Sequence, residues 1–238
     1  MQLFEKQRPP SNAKTQRISY SPAQMKAHGS VLKAMCVTVG LGCNYETADF
    51  RLPIPAEWKL DAAKWISKWK PAKPLMIYRP PCIRPEWGGA AARNPDPAAY
   101  AALYQEIRDR FFVVSVADIE PGKEWIAPGG DLDADVKLHH GELVFETMAA
   151  LFAEASMVFT TGGFPVILAQ AVETPVFAVI GGYEDHTSYS AGARYSPYGW
   201  VDPINTYANC SHSVPAGQKA INLPSAKLKL LSFVNEYI

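Results

Sequence analysis

Short apolar runs alternate with amphipathic segments from residue 74 to the C-terminus. The apolar runs have the length of strands that are buried on both faces, and the segments between them repeat apolar residues every three or four positions, as helices do. Strands are predicted at 75–78, 111–117, 136–138, 157–160 and 176–180. Helices are predicted at 97–110, 143–155, 164–173 and 225–237. This order predicts an α/β domain with a Rossmann-like, doubly wound parallel sheet.

The first 72 residues lack this alternation. Residues 1–20 have no hydrophobic period, so we expect a flexible basic arm. Two helices are predicted after the arm, at 22–40 and 56–70, with no strand between them. The predicted parts of the chain are the arm at 1–20, an N-terminal helical appendage at 21–72 and a single Rossmann-like domain at 73–238.

The composition is that of a folded protein. Of the 238 residues, 48% are hydrophobic and 19% are charged, which is too apolar for general disorder. The N-terminus lacks the apolar stretch of a signal peptide, and no apolar run reaches the roughly 18 residues that cross a bilayer, so we expect a cytoplasmic protein without a membrane span. The four cysteines form no C-x-x-C pair, so neither a disulfide scaffold nor a zinc site is expected.

Charge is distributed unevenly along the chain. The formal net charge is zero, but residues 1–70 carry 11 basic and 5 acidic residues, whereas the remainder carries 12 basic and 18 acidic. A basic leading segment can bind nucleic acid, or it can dock on the acidic body of its own chain or of a neighbour. No aromatic-interleaved basic patch or nucleic-acid motif accompanies it, so we favour docking and do not expect nucleic acid as a partner.

The loops that follow the predicted strands are the candidate sites, because ligands of open α/β sheets bind at the carboxyl ends of the strands. The loop after the first strand carries three arginines and a tryptophan, namely Arg79, Arg84, Arg93 and Trp87. Arginine forks suit phosphate oxygens, and an indole suits stacking on a base or a sugar. The alternative is a solvated loop whose tryptophan lies in the core.

The loop after the second predicted strand contains Asp118, Lys123 and Trp125. Asp118 is placed like an acidic residue that hydrogen-bonds a ribose. An aspartate that follows a strand is also a common turn or helix-capping residue, and this alternative stays open.

The segment from Thr160 to Phe164 is the most specific candidate. Gly162 and Gly163 let the backbone approach a ligand closely, and the free amides at the start of the following helix favour an anion such as a pyrophosphate. The alternative is a generic connection, because a strand, a glycine turn and a helix often follow one another.

Two clusters of titratable residues lie in other loops. Glu184 and His186 could bind sugar hydroxyls or act as acid and base, and a stable turn with solvated carboxylates is the alternative. His139 and Glu142 have the spacing H-x-x-E, which is a weak metal signal without further ligands, so no metal is expected.

Three common motifs are absent from the sequence: G-x-S-x-G, G-x-x-x-x-G-K-[ST] and G-x-G-x-x-G. Their absence argues against an α/β-hydrolase, a P-loop NTPase and a standard NAD dehydrogenase. A nucleotide-sugar site needs none of them.

The residues of these loops, and their order along the chain, resemble those of a known protein family. The stretch 74–182 is similar to the C-terminal, donor-binding domain of heptosyltransferase-like glycosyltransferases with the GT-B fold, especially their shorter relatives in phage and bacterial genomes. The resemblance covers about half to two thirds of the chain. It is carried by Ile77-Tyr-Arg-Pro-Pro81, Glu86-Trp87, Ala92-Arg-Asn-Pro95, Val113-Val-Ser-Val-Ala-Asp118, Gly122-Lys-Glu-Trp125, Gly141-Glu142, 148–161, Gly162-Gly-Phe164, Ala169-Gln-Ala171 and 180–184.

The resemblance implies that the chain binds a nucleotide-activated sugar and transfers the glycosyl group to a saccharide or other acceptor hydroxyl, with no metal or other cofactor. The implied residues that bind the donor and its phosphates are Arg79, Lys123, Thr160, Thr161, Gly162, Gly163 and Phe164. The implied contacts to the base or the sugar are Arg84, Trp87, Arg93, Asp118, Trp125 and Glu142. The implied candidates for the catalytic base are Glu184 and His186.

The leading segment departs from the family pattern. In that family an N-terminal Rossmann-like domain supplies the acceptor site and the acidic base, whereas residues 1–72 show no alternation of strands and helices and match only the end of such a domain. The chain is therefore expected to be incomplete as an enzyme, and exposed apolar surface would favour a homo-oligomer. The alternatives are a non-catalytic binding or assembly module on a truncated GT-B domain, and an epimerase or other sugar-nucleotide enzyme.

Overall fold

The computed structural model describes residues 22–29, 31–39, 45, 47–85, 94–182, 185–192, 194–204 and 220–238. The predictions for the arm at 1–20 and for Trp87, Arg93 and Glu184 lie outside the described residues.

Most strands of the described chain belong to one parallel sheet. The strands are β1 (Leu75–Tyr78), β2 (Cys82–Ile83), β3 (Phe112–Val116), β4 (Trp125–Ile126), β5 (Val136–Leu138), β6 (Met157–Thr161), β7 (Val176–Val179) and β8 (Tyr198–Val201). Six of them pair in the order β5-β3-β1-β6-β7-β8, and every pair is parallel. β2 and β4 form a separate antiparallel ribbon.

Helices cover both faces of this sheet. The helices of the described residues are α1 (Pro22–His28), α2 (Val31–Val39), α3 (Ala56–Trp69), α4 (Pro97–Arg108), α5 (Phe145–Glu154), α6 (Phe164–Ala171) and α7 (Leu223–Tyr237), with a 3-10 helix at His186–Gly192. One face packs against α3, α5 and α6, and the other packs against α4 and α7. In the part of the chain that the structure describes, no helix is long and apolar enough to cross a bilayer.

The central strands are buried along their whole length, because helices cover both of their faces. Alternate side chains of β1 face the two cores: Ile77 packs towards α5, and Tyr78 packs towards α4. Phe159 of β6 lies parallel to Phe177 of β7, with ring centroids 6.3 Å apart. The prediction of a doubly wound, Rossmann-like α/β fold is confirmed.

One strand of the sheet was not predicted, since β8 at its edge contains a glycine and lacks a continuous apolar run. Gly199 is required by packing, because a Cβ there would lie 2.5 Å from Phe177 Cδ2 and 2.8 Å from Phe233 Cδ2. The strand is therefore specified by the close approach of α7 and β7, which is not a local property of its sequence.

The helix predicted at 22–40 is wrong as a single element. The structure has two helices here, and Gly29 between them has φ +70°. That left-handed conformation suits glycine and interrupts the helical hydrogen bonds, although the apolar spacing continues across the break.

The second predicted helix of the leading segment forms α3 and packs directly on the sheet domain. Ala62 is fully buried, and Trp58 meets Phe145 of α5 edge-on with ring centroids 6.3 Å apart. Upstream of α3, the Leu52 N–H donates to the Ala171 carbonyl at 2.7 Å. α3 thus contributes to the helical layer on the same face as α5 and α6.

Candidate functional site

A cleft opens at the carboxyl ends of β1, β6 and β7, which a parallel sheet brings to one edge. The first part of the cleft, which we call the polar compartment, has a volume of about 350 Å³. Its wall combines a glycine turn (Gly162 and Gly163), two guanidinium groups (Arg79 and Arg84) and the hydroxyl-bearing Thr161. These groups are suited to an anionic ligand.

The glycine turn connects β6 to α6. Gly163 has φ +119° and ψ −156°, a backbone conformation that is essentially restricted to glycine. It is the N-cap of α6 and provides no capping side chain, so the helix begins with backbone amides at the cleft wall. Pro165, at one of the first helical positions, has no N–H, and the Val166 N–H donates to the Gly163 carbonyl at 3.1 Å. Phe164, the first residue of α6, lines the polar compartment, so the positive end of the helix dipole lies at its wall.

Arg79 follows β1 and is held at both its backbone and its side chain. Its N–H donates to the Phe159 carbonyl at 3.1 Å, and its own carbonyl accepts from the Tyr100 hydroxyl at 3.1 Å. Its guanidinium donates from Nη1 to the Val116 carbonyl at 3.1 Å and from Nη2 to Glu124 Oε1 at 2.5 Å. The guanidinium is thus fixed between the ends of β1 and β3.

The ribbon of β2 and β4 brings Arg84 to the same carboxylate. Arg84 Nε and Nη2 both lie 2.6 Å from Glu124 Oε2. Glu124 is only 4% exposed, and burial by itself would raise its pKa. The pKa of Glu124 nevertheless lies below its ordinary value. The charge of Arg79, a hydrogen bond from Cys82, and the charge and hydrogen bond of Arg84 together outweigh the effect of burial. These three side chains, two guanidinium groups and one carboxylate, together carry a charge of +1.

Cys82 also lines the polar compartment, beside this cluster. Burial raises the pKa of its thiol to about 12, so the side chain is neutral at physiological pH. It adds no charge to the cleft.

A second, apolar compartment of about 280 Å³ adjoins the first and shares Arg79, Arg84, Phe164 and Pro165 with it. Its wall is mainly aliphatic and aromatic, and includes Val116, Leu138, Leu143, Phe145, Met148 and Phe152. Asp118 also lines it and is exposed. The two arginines therefore stand where a polar and an apolar compartment meet.

The structure brings many of the predicted site residues together. The polar compartment is lined by Arg79, Arg84, Thr161, Gly162, Gly163 and Phe164. The apolar compartment is lined by Asp118 in addition to Arg79, Arg84 and Phe164. The roles assigned to these residues stay predictions.

Other predicted residues do not line either compartment. Thr160 is fully buried, because β6 turns its side chain to the face covered by α5 and α6. Lys123 is exposed and pairs with Glu120 at 2.5 Å. Trp125 is 42% exposed on the ribbon, and the Glu142 carboxylate accepts from the His140 N–H at 2.7 Å.

His186 lies beyond β7 and is also outside the described lining of the cleft. Its ring bonds to the Asp202 carboxylate, and its backbone N–H donates to the same carboxylate at 3.0 Å. The ring stacks on Trp200 with centroids 4.2 Å apart. The structure thus gives His186 a role in holding the start of the 3-10 helix, and its catalytic role stays a prediction.

The residues of the polar compartment that were missed from the sequence include three with polar side chains that reach it from distant positions, namely Glu124, Asn94 and Tyr189. Glu124 lies within the segment Gly122-Lys-Glu-Trp125, but no local pattern marks it as a site residue, because its partner Arg84 is 40 positions away. Asn94 donates to the Cys82 carbonyl at 2.9 Å, and Tyr189 comes from the 3-10 helix. Within the described ranges, no group of three or more potential metal ligands occurs.

No family model matches the sequence, and no curated protein matches it. Solved structures do match. The crystal structure of a glycosyl transferase family 9 protein from Veillonella parvula matches 87% of this chain with a TM-score of 0.56 and 13% sequence identity. The chain shares the fold of the matched part of this family 9 glycosyltransferase. It spans 60% of the length of that protein.

Two further matches are also glycosyltransferases. The match to the Escherichia coli ADP-heptose lipopolysaccharide heptosyltransferase II covers 76% of this chain and 54% of the heptosyltransferase chain, with a TM-score of 0.47 and 15% identity. The match to the iron-containing dodecameric glycosyltransferase TibC from enterotoxigenic E. coli covers 70% of this chain and 45% of the TibC chain, with a TM-score of 0.44 and 14% identity. The match to the Veillonella parvula structure confirms, at the level of the fold, the resemblance to glycosyltransferases seen in the sequence.

Proposed function

We propose that this chain is the donor-binding part of a glycosyltransferase and binds a nucleotide-activated sugar in the cleft. The observation that carries the proposal is the polar compartment itself. There the Gly162-Gly163 turn, the start of α6 and the guanidinium groups of Arg79 and Arg84 line one cavity. The fold shared with a family 9 glycosyltransferase supports the same function.

The polar compartment suits the diphosphate of such a donor. Backbone amides at a helix start bind phosphate oxygens without a side chain, and they do so best where glycines allow close approach. Guanidinium groups add charge-assisted hydrogen bonds. Together these groups supply the positive charge that a diphosphate needs, so we propose that the donor binds without a metal ion.

The apolar compartment suits the nucleobase. A base has two apolar faces that gain from burial between side chains such as Phe145, Phe164 and Met148. Asp118 lines this compartment and is exposed, where it can accept a hydrogen bond from a ribose hydroxyl. The donor would then cross from one compartment to the other beside the two arginines.

Transfer breaks the bond between the anomeric carbon and the diphosphate oxygen, and the electron pair of that bond passes to the diphosphate. The guanidinium groups and the helix start would stabilise this growing negative charge. The acceptor oxygen forms the new bond, and its proton passes to a general base. Glu184 and His186 stay the candidates of this chain for the base.

The proposal is tested by thermal unfolding of the protein with ADP-, GDP-, UDP- and CMP-sugars. A ligand at about 100 times its dissociation constant raises the free energy of unfolding by roughly 2.7 kcal/mol, which raises the melting temperature measurably. We expect one nucleotide to produce this shift. The absence of a shift with all four would overturn the proposal and favour a binding or assembly module.

Gly163→Asp is the variant that locates the site. It places a carboxylate at the phosphate turn, and an aspartate disfavours the backbone conformation that Gly163 has there. Gly29→Asp is its matched control: Gly29 also has a positive φ and open space for a side chain, and it lies between α1 and α2. We expect Gly163→Asp to remove the shift and Gly29→Asp to retain it. A shift that survives Gly163→Asp would place the nucleotide elsewhere.

A further inference from the structure

We propose that Asn94 is a specificity-determining residue, whose side-chain oxygen accepts a hydrogen bond from a hydroxyl group of the sugar that the nucleotide carries. This inference rests on the proposed function, because it assumes that a nucleotide-activated sugar binds in the cleft. It concerns recognition of the sugar, which the glycine turn and the arginines do not explain.

Asn94 is a polar side chain that is almost completely buried at the wall of the polar compartment. Its exposed fraction is 7%, and it lines the polar compartment but not the apolar one. Asn94 Nδ2 donates to the Cys82 carbonyl at 2.9 Å, whereas Oδ1 has no hydrogen-bond partner among the described residues. Oδ1 is not sealed from solvent either, so it is available to a ligand in the compartment. A buried amide oxygen without a partner is costly, and a ligand that donates to it removes that cost.

The Cys82 carbonyl determines which way the Asn94 amide faces. A carbonyl oxygen only accepts hydrogen bonds, so it requires the –NH₂ group of Asn94 on its side. The reversed amide would bring two oxygens together and lose the bond to Cys82. Oδ1 therefore faces away from Cys82 and stays an acceptor.

The chain that follows Asn94 fixes the position of this side chain. Pro95 comes next and restricts the backbone of Asn94 to extended conformations. Asp96 then caps α4: its carboxylate accepts from the Ala99 N–H at 2.8 Å, and its carbonyl accepts from the Tyr100 N–H at 2.9 Å. Asn94 is thus held between β2 and the start of α4, so a ligand can bind it without a large loss of side-chain entropy.

An acceptor at this place selects a group that donates a hydrogen bond. The guanidinium groups and the amides at the start of α6 are donors, and they suit phosphate oxygens. The diphosphate of a nucleotide-sugar is fully ionised at neutral pH and has no O–H to donate, so its oxygens would repel Oδ1. The proposed function places the base and the ribose in the apolar compartment, which Asn94 does not line. The donating group that remains is a hydroxyl of the sugar.

The first test compares a nucleotide-sugar with the same nucleoside diphosphate without its sugar. ADP-glucose, GDP-mannose and UDP-glucose are titrated calorimetrically, and the tightest of them is carried forward with its sugar-free counterpart. Asn94→Ala removes the acceptor, so we expect the Kd of the nucleotide-sugar, relative to that of the nucleoside diphosphate, to rise about tenfold. Loss of the contact with Cys82 would weaken both ligands alike, so the ratio of the two Kd values isolates the contact with the sugar.

Monodeoxy sugars identify the hydroxyl that bonds to Asn94. Each analogue of the nucleotide-sugar carried forward lacks one hydroxyl of the sugar ring. We expect one analogue to bind the unaltered protein about tenfold more weakly than the parent does, because it leaves Oδ1 unpaired. In Asn94→Ala the same analogue should bind within about twofold of the parent, since the partner of the missing hydroxyl is gone.

Asn222→Ala is the matched control. Asn222 is the N-cap of α7, where its side chain accepts from the Ser225 N–H at 3.2 Å, and it lines neither compartment. The substitution removes one hydrogen bond between an asparagine side chain and the backbone, as Asn94→Ala does, but it changes nothing in the cleft. We expect the ratio of the two Kd values to stay unchanged.

A measurement on the unaltered protein keeps the inference testable even if Asn94→Ala does not fold. Asparagine side chains labelled with nitrogen-15 give separate –NH₂ signals by NMR, and correlations through Cβ assign the pair of Asn94 without a variant. A hydrogen bond to Oδ1 polarises the amide. We therefore expect the saturating nucleotide-sugar to shift the Asn94 signals beyond the shift that the nucleoside diphosphate alone produces.

The outcomes separate this inference from the proposed function. If the unaltered protein binds none of the nucleoside diphosphates or their sugars, the proposed function fails and the role of Asn94 fails with it. If it binds them, but Asn94→Ala raises both Kd values equally or every monodeoxy analogue keeps its penalty in that variant, only the role of Asn94 is overturned. An equal change of the ratio in Asn222→Ala, or identical Asn94 signals with and without the sugar, would overturn it as well.

Discussion

Gly162 and Tyr189 are in such close contact that the glycine cannot carry a side chain without displacing the tyrosine. A Cβ at Gly162 would lie 2.9 Å from Tyr189 Cε2 and 3.0 Å from its hydroxyl oxygen. The Tyr189 carbonyl also accepts from Gln170 Nε2 at 2.8 Å, which ties the 3-10 helix to α6. The glycine turn at the cleft is thus packed against an element that lies 27 residues further along the chain.

Gly162→Ala is expected to weaken nucleotide binding more than it weakens the fold. The added methyl group must displace the Tyr189 ring or the turn, and a shift of the turn moves the amides that face the polar compartment. We expect the Kd to rise about tenfold and the free energy of unfolding to fall by about 1 to 2 kcal/mol. Calorimetric titration and urea unfolding measure the two quantities.

The control for Gly162→Ala is the double variant Gly162→Ala/Tyr189→Ser, which makes room for the methyl group. Recovery of part of the lost affinity would show that the contact with Tyr189 is responsible. Failure of the double variant to recover any affinity would contradict this explanation.

Thr160 and Thr161 form a matched pair with opposite surroundings. Thr160 is fully buried, and its Oγ1 has no hydrogen-bond partner among the described residues, whereas Thr161 lines the polar compartment. Thr160→Val removes an unsatisfied hydroxyl and should raise the free energy of unfolding by about 1 kcal/mol, with the Kd unchanged. Thr161→Val should raise the Kd roughly fivefold. Equal effects of the two variants on binding would contradict the placement of these side chains.

The stability contributed by Glu124 should depend on pH. Its pKa lies below the ordinary value of 4.5 in the folded protein, because the arginines and Cys82 outweigh burial. The contribution is therefore complete above about pH 4.5 and is lost as the pH falls through the lower folded pKa. Urea unfolding at about pH 7, 5, 4 and 3 should show the advantage over Glu124→Gln shrinking only at the two lower values. An advantage that is constant over the whole range would contradict the shifted pKa.

Tyr100→Phe should affect the cleft although Tyr100 is a core residue. Its hydroxyl donates to the Arg79 carbonyl at 3.1 Å, so its removal loosens the backbone that carries the guanidinium. We expect the free energy of unfolding to fall by about 1 kcal/mol and the Kd to rise roughly threefold.

Tyr104→Phe is the control for Tyr100→Phe. Tyr104 packs in the same aromatic cluster, but its hydroxyl donates to the Asp133 carbonyl, and it does not line the cleft. A similar loss of stability without a change in Kd is expected. If Tyr104→Phe weakens binding equally, general destabilisation rather than the Arg79 contact would explain both variants.

The sequence by itself determined the fold class and the place of the glycine turn. Hydrophobic runs and helical spacing are local properties, and they located β1, β3, β5, β6 and β7 within one or two residues of their ends. The rule that ligands bind at the carboxyl ends of parallel strands then placed the candidate site at loops that do meet, since Arg79, Arg84, Gly162 and Gly163 line one compartment.

The tertiary structure decided the features that depend on distant partners. β8 is set by the approach of Phe177 and Phe233 to Gly199. Glu124 reaches the cleft because β2 and β4 pair, which brings its carboxylate to the Arg84 side chain. The period of two along β6 places Thr160 and Thr161 on opposite faces of the sheet, but it does not tell which of the two lines the cleft. Only packing decides between them, because the free energy of each side chain depends on atoms that the chain brings together from far along its length.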